Sequence, residues 1–188
     1  MAAPMKPLKL TRVLVVDDNK QMRVLVRELL RALDIRLVAD AADAAEGLRE
    51  LRSHRSDLVI TDLAMGRKED GIMLAREIRL AKNSASTTVP IIMMTGHAEM
   101  SRVSAAIDAG VNTFLAKPIS ARSLADHVSA ALSDRRGYIR TETFFGPDRR
   151  RRQHPDYPGP FRRHEDHDFN VDEPNAFASW PAQRGTGR

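Results

Sequence analysis

"RVLVVDD" runs from Arg12 to Asp18, an apolar, Val-rich stretch that stops abruptly at two adjacent carboxylates. An unbroken apolar run of this length is what a strand needs when helices cover both of its faces, as in a parallel sheet. The carboxylates at its end then open into a polar site. The same form recurs downstream. "DLVITD" (Asp57–Asp62) is a second buried strand ending in a carboxylate. "VPIIMMTG" (Val89–Gly96) is a third, with Pro90 at its start, where no ladder bond is lost. "RLVAD" (Arg36–Asp40) and "VNTFLAKP" (Val111–Pro118) complete the set of strands.

Helical patterns separate them. In "NKQMRVLVRELLRALDI" (Asn19–Ile35), residues Met22, Leu25, Val26, Leu29, Leu30 and Leu33 recur at helical spacing, with Asp18 or Asn19 as cap. Ala41–Arg52 is an Ala-rich helix with Leu48 and Leu51 inward. "IMLAREIRLA" (Ile72–Ala81) and Glu99–Asp108 follow, and the last helix lies in "SARSLADHVSAALSDRR" (Ser120–Arg136), with Ser120 as N-cap. Strand and helix alternate five times. The expected fold is therefore α/β, a five-stranded parallel sheet with right-handed crossovers and helices on both faces.

Such sheets bind ligands at the carboxyl ends of their strands. Asp17, Asp18, Asp62, Thr95 and Lys117 all fall there. Singly, each has a plain explanation as a cap, a strand-end hydroxyl or a surface charge. Together, on one rim, they make a specific combination. Clustered carboxylates repel unless a cation lies among them, and hard oxygen donors suit Mg2+. A phosphoryl group on one carboxylate would offer oxygens to the metal, to Lys117 and to the Thr95 hydroxyl. That is the plan of phosphoryl transfer, in which groups are positioned and charge is neutralised.

Composition excludes other classes. The chain of 188 residues has no Cys, which removes disulfides, thiolate metal sites and Cys nucleophiles. No apolar run reaches the roughly 20 residues of a membrane span. "MAAPMKPLKL" (Met1–Leu10) lacks the apolar region of a signal peptide, so a cytoplasmic protein without membrane contact is expected. Charge is unevenly distributed. Residues 1–134 hold 19 Lys+Arg against 17 Asp+Glu, whereas residues 135–188 hold 11 Arg, no Lys and 8 Asp+Glu. Residues 137–188 also contain six of the ten Pro and five of the ten Gly, without apolar periodicity. The expected organisation is an N-terminal arm at 1–11, a folded domain at 12–134 and an Arg/Pro-rich disordered tail at 135–188.

The motifs "VVDD" (15–18), "ITDLAM" (60–65), "MTG" (94–96) and "FLAKP" (114–118) resemble those of the receiver domain of bacterial two-component response regulators, the CheY-like fold. The resemblance covers residues 12–134. It implies a phosphoacceptor signalling protein rather than an enzyme, with Asp62 as acceptor. It implies Mg2+ held by Asp17, Asp18, Asp62 and the backbone carbonyl of Ala64, with Thr95 and Lys117 on the phosphoryl group. By the same resemblance Phe114 is the aromatic switch residue, Lys117-Pro118 is a cis peptide, and the donor is a sensor histidine kinase or a His phosphotransfer protein. The chain departs from the family pattern at Ala64, often Asn, and at Gly66, usually Pro. His97 lies near the rim and reads as a surface residue.

Within the tail, Gly-Pro-x-Arg-Arg occurs twice, at Gly146–Arg150 and Gly159–Arg163, a spacing of 13. Gly and Pro fix a turn. The Arg residues that follow present forks able to pair with phosphate, read guanine O6 and N7 and stack on a base. Asp148 can accept from a guanine N–H edge, and Tyr157 and Phe161 can stack. "GPDRRRR" (146–152) and "YPGPFRRHED" (157–166) resemble the Arg-rich extension of CheY-like cyclic di-GMP effectors, which act at the flagellar motor. By that resemblance Arg149, Arg150, Arg162 and Arg163 would hold the dinucleotide. No helix-turn-helix or catalytic motif follows residue 134, so DNA is not an expected partner. The output is a downstream protein met through the face around Phe114, or the tail itself. A plain receiver, a phosphotransfer intermediate, or a receiver with a solvated or RNA-binding tail are the competing readings.

Overall fold

The computed structural model describes residues 7–66, 70–81, 86–96, 102–134, 136–141, 144–148 and 167–169, with backbone alone for Asp70 and His167–Phe169. After a 3-10 turn at Leu8–Leu10, strands β1 (Arg12–Val16), β2 (Leu37–Ala41), β3 (Leu58–Asp62), β4 (Ile91–Thr95) and β5 (Thr113–Ala116) alternate with helices. These helices are α1 (Lys20–Ala32), α2 (Ala44–Ser53), α3 (Asp70–Leu80), α4 (Val103–Asp108) and α5 (Ala121–Leu132). The strands form one parallel sheet, as the alternation requires, and their order in it is β2-β1-β3-β4-β5.

Alternate residues of each strand feed opposite faces. Leu14 and Val16 of β1 join a core with Leu51, Ile72, Leu74 and Ile78, on the side of α2, α3 and α4. Val13 and Val15 join a second core with Val26 and Leu30 of α1 and Leu124 and Val128 of α5. Every residue of β3 and β4 is buried, which is why both read as continuous apolar runs.

Element ends follow local chemistry. Asn19 caps α1, accepting from the Gln21 and Met22 amides, and Ser120 caps α5 through the Ser123 amide at 3.1 Å. Ala41, expected to open the second helix, instead closes β2. Asp43 and Glu46 form a reciprocal cap, with Asp43 Oδ1 accepting from Glu46 N and Glu46 Oε2 accepting from Ala42 N, both at 2.7 Å. Leu25, expected inward, is 43% exposed, because α1 turns Val26 and Leu30 to the core. The expected start of the fourth helix, at Glu99, lies outside the described residues.

The boundary at residue 134 is the larger correction. Strands β6 (Tyr138–Arg140), β7 (Phe145–Pro147) and β8 (His167–Phe169) form an antiparallel sheet in the order β7-β6-β8. Tyr138, Ile139 and Phe145 are buried, so this part of the assigned tail belongs to the domain. Gly146-Pro147, expected in a turn, lies in β7. A Cβ on Gly146 would sit 2.8 Å from Gly110 Cα and 2.7 Å from the Phe144 ring. Here glycine serves close backbone approach, and Pro147 occupies an edge strand, where its missing N–H costs no ladder bond.

Beneath this sheet lies Arg79, 2% exposed. Its guanidinium donates to the carbonyls of Gly110 (3.0 Å), Thr87 (2.7 Å) and Val89 (2.8 Å) and to Asn112 Oδ1 (2.9 Å). The Tyr138 ring covers it, 5.2 Å from centroid to Cζ. Arg79 thus ties the end of α3 to the loops entering β4 and β5, and the β6–β7 hairpin closes over it.

Candidate functional site

At the other end of the sheet, β1 and β3 deliver three carboxylates to one rim. Asp17 and Asp62 are buried, Asp18 is exposed, and one oxygen of each lies within 4.8 Å of the others. A backbone amide engages each side chain. Asn19 N donates to Asp17 Oδ1 at 2.8 Å, Leu63 N to Asp62 Oδ1 at 2.9 Å and Gly66 N to Asp18 Oδ2 at 2.8 Å. Arg23 Nη1 donates to the Asp17 carbonyl at 2.7 Å, which steadies the turn after β1.

Lys117 reaches in from just past the end of β5, and the cis Lys117-Pro118 peptide follows it. Its ammonium stands 2.8 Å from Asp62 Oδ1 and 3.5 Å from Asp17 Oδ2. Burial, the largest influence on Lys117, favours its neutral form. Its hydrogen bond to Asp62 and the attraction of the Asp62 and Asp17 charges outweigh burial and raise its pKa above the ordinary lysine value. One ammonium cannot balance three carboxylates. Asp17 Oδ2 remains buried without a hydrogen bond. A buried, unbonded carboxylate oxygen among other carboxylates fits a hard divalent cation.

Thr95 ends β4, 5% exposed, and its hydroxyl donates to the Gly96 carbonyl at 3.2 Å. Ala64 follows in the loop after β3, partly buried against the core. Phe114, half-buried on β5 opposite Met93, packs on the α2–α4 side. Asp17, Asp18, Asp62 and Lys117 are therefore brought together as the sequence predicts, with Thr95 at the end of the neighbouring strand. Asp148 lies at the far end of the domain, its amide bonded to the Gly137 carbonyl at 2.8 Å. His97, Arg149, Arg150, Tyr157, Phe161, Arg162 and Arg163 lie outside the described residues.

Gly71, in the first turn of α3, is part of this site. A Cβ there would fall 1.9 Å from the Asp62 carbonyl oxygen, so only glycine lets α3 start against the Asp62 backbone. Its signal was its place directly after the polar loop that follows β3.

Residues 13–129 match the model of the response regulator receiver domain family. The transcriptional regulatory protein PdtaR of Mycobacterium tuberculosis is 34% identical over 122 residues, 65% of this chain and 57% of that protein. The regulatory protein VirG of Agrobacterium tumefaciens is 34% identical over 138 residues, 73% of this chain and 48% of that protein. The chain thus spans about half the length of these curated relatives. Among solved structures, the chemotaxis response regulator CheY4 of Vibrio cholerae superposes with a TM-score of 0.58 at 26% identity, over 64% of this chain and 98% of that one. Among the described residues no helix is long and apolar enough to cross a membrane.

Proposed function

Because the chain belongs to the response regulator receiver family, we propose that it is a stand-alone phosphoacceptor of a His-Asp relay, working in the cytoplasm and phosphorylated on Asp62. Receiver domains of this family take part in two-component phosphorelays and bind Mg2+ at an acidic pocket. The observation that carries the reading here is the Lys117 ammonium 2.8 Å from Asp62, beside a buried Asp17 oxygen without a hydrogen bond.

In this reading an Asp62 oxygen attacks the phosphorus of a phosphohistidine. A P–O bond forms, the P–N bond breaks, and the imidazole keeps the electron pair and takes up a proton. Lys117 and the Thr95 hydroxyl bind oxygens of the transferred group. Asp17, Asp18 and the Ala64 carbonyl would join Asp62 in holding Mg2+, which when bound would neutralise charge on the phosphoryl oxygens. Hydrolysis of the acyl phosphate then returns the carboxylate and inorganic phosphate. The donor is a sensor histidine kinase or a His phosphotransfer protein. Phe114, on the strand that leads into Lys117, passes the change to a downstream protein, and the chain is not an enzyme on other molecules.

The test is phosphorylation of the full chain by acetyl phosphate with Mg2+. Acid-labile label is expected on the wild type and none on Asp62→Asn with its fold intact. Undiminished label on Asp62→Asn overturns the assignment.

The duplicated Gly-Pro-x-Arg-Arg supports a second ligand. In our reading Arg149, Arg150, Arg162 and Arg163, with Asp148 and Tyr157, bind cyclic di-GMP, whose two guanines and two phosphates match the two copies. The downstream partner is then a component of the flagellar motor.

A further inference from the structure

We infer that the backbone amide of Gly66 is a positioning group for the metal site, holding the Asp18 carboxylate in place for the cation. This rests on the reading that the acidic rim binds a divalent ion. Of the three carboxylates, Asp17 and Asp62 are fixed by burial and by amides one or two residues away, Leu63 and Asn19. Asp18 has neither support. It is exposed, and repulsion from Asp17 and Asp62 drives an unrestrained side chain toward bulk water. Its restraint comes from 48 positions along the chain, where Gly66 N donates to Asp18 Oδ2 at 2.8 Å.

The glycine is there for conformation rather than space. Gly66 has φ +50°, in the left-handed region, and a Cβ at this position would meet nothing within 4 Å. That conformation turns the Gly66 amide toward β1 and clasps the loop after β3 to the loop after β1. A charge-assisted N–H···O bond leaves the other Asp18 oxygen as a donor and removes rotamers that binding would otherwise have to freeze. Groups of this outer kind commonly change metal affinity by tenfold or more.

The predicted differences follow from which features each substitution keeps. Gly66→Pro removes the N–H and cannot adopt a positive φ. Gly66→Asn keeps the N–H and tolerates the left-handed conformation, with room for its side chain. Gly66→Ala keeps the N–H but disfavours that conformation. Mg2+ is titrated calorimetrically into each full-length protein, with thermal unfolding followed in parallel. Gly66→Pro should weaken Mg2+ binding about tenfold, while Gly66→Asn stays within about twofold of wild type. Should Gly66→Pro fail to fold, Gly66→Ala decides, with an expected loss of about threefold. Wild-type affinity in Gly66→Pro, or in Gly66→Ala when it decides, overturns the inference. So does a Gly66→Asn loss as large as that of Gly66→Pro. Absence of Mg2+ binding by the wild type instead defeats the reading of the site itself.

Discussion

At the scale of single residues, Arg79 is the most constrained side chain outside the rim. Burial, the dominant influence, lowers its pKa, with Tyr138 partly opposing it. Its charge is therefore a cost to folding, offset by hydrogen bonds to three carbonyls and to Asn112. Arg79→Met fills similar space but takes the guanidinium donors away from these buried acceptors, of which Asn112 Oδ1 keeps the Ile91 amide. It should lower unfolding stability by about 3 kcal/mol, measured by urea titration, with Asp62 phosphorylation retained. The sequence carried a signal for this role. Arg79 stands four positions after Ala75 and seven after Ile72, on the inward stripe of α3, where a charged residue reads as an interruption. The rim was easier to read, because Asp17, Asp62 and Lys117 each end an apolar run abruptly. What the sequence withheld were backbone contacts, such as the amide that Gly66 sends to Asp18 and the fit of Gly71 on the Asp62 carbonyl.

At the scale of elements, the β6–β7 hairpin changes where the domain ends. Tyr138 and Phe145 pack with ring centroids 5.7 Å apart, and Arg140 lies 4.3 Å over the Phe145 ring. Arg136 clasps Asp134 and donates to the Asn112 carbonyl at 3.2 Å, which anchors the hairpin beside β5. A protein truncated after Asp134, which the sequence suggests would be complete, should instead lose about 3 kcal/mol of unfolding stability through exposure of this cluster. Equal urea midpoints for the two lengths would show the hairpin to be dispensable. Such short strands escape sequence reading because three residues carry no usable periodicity. The Asp134 clasp also predicts a pH response. Burial, the largest influence, raises its pKa, but the hydrogen bonds and attraction of Arg136 outweigh it, leaving Asp134 below the ordinary 3.8. The clasp is then fully stabilising above pH 3.8 and is lost as pH falls through the lower folded value. Asp134→Asn should flatten that part of the acid-unfolding profile, followed by urea midpoints below about pH 4.

At the scale of the whole molecule, the parallel sheet, the covering of both its faces and the site at the strand ends follow from alternation, since parallel strands need covered crossovers of one hand, whereas the strand order does not. Nor does the relation of the Arg-rich segment to that frame. β7 and β8 both border β6. The sequence between Asp148 and His167 holds both Arg pairs, Arg149-Arg150 and Arg162-Arg163. A guanine gripped by a well-placed Arg fork is worth about 1–3 kcal/mol. Two such grips, offset by the entropy of ordering the segment, are compatible with micromolar affinity, about −8 kcal/mol. Calorimetry on the full chain should show cyclic di-GMP binding that excess GTP does not displace. Replacing either pair by Ala should weaken it at least tenfold, about 1.4 kcal/mol. Replacement by Lys should weaken it nearly as much, because Lys keeps the charge and loses the planar fork. An electrostatic RNA-binding segment would behave differently, tolerating Lys and weakening steeply with salt. Full retention of affinity in the Lys variants would therefore remove guanine recognition from the proposal. No affinity for the dinucleotide would leave a receiver whose repeated arginines serve another contact.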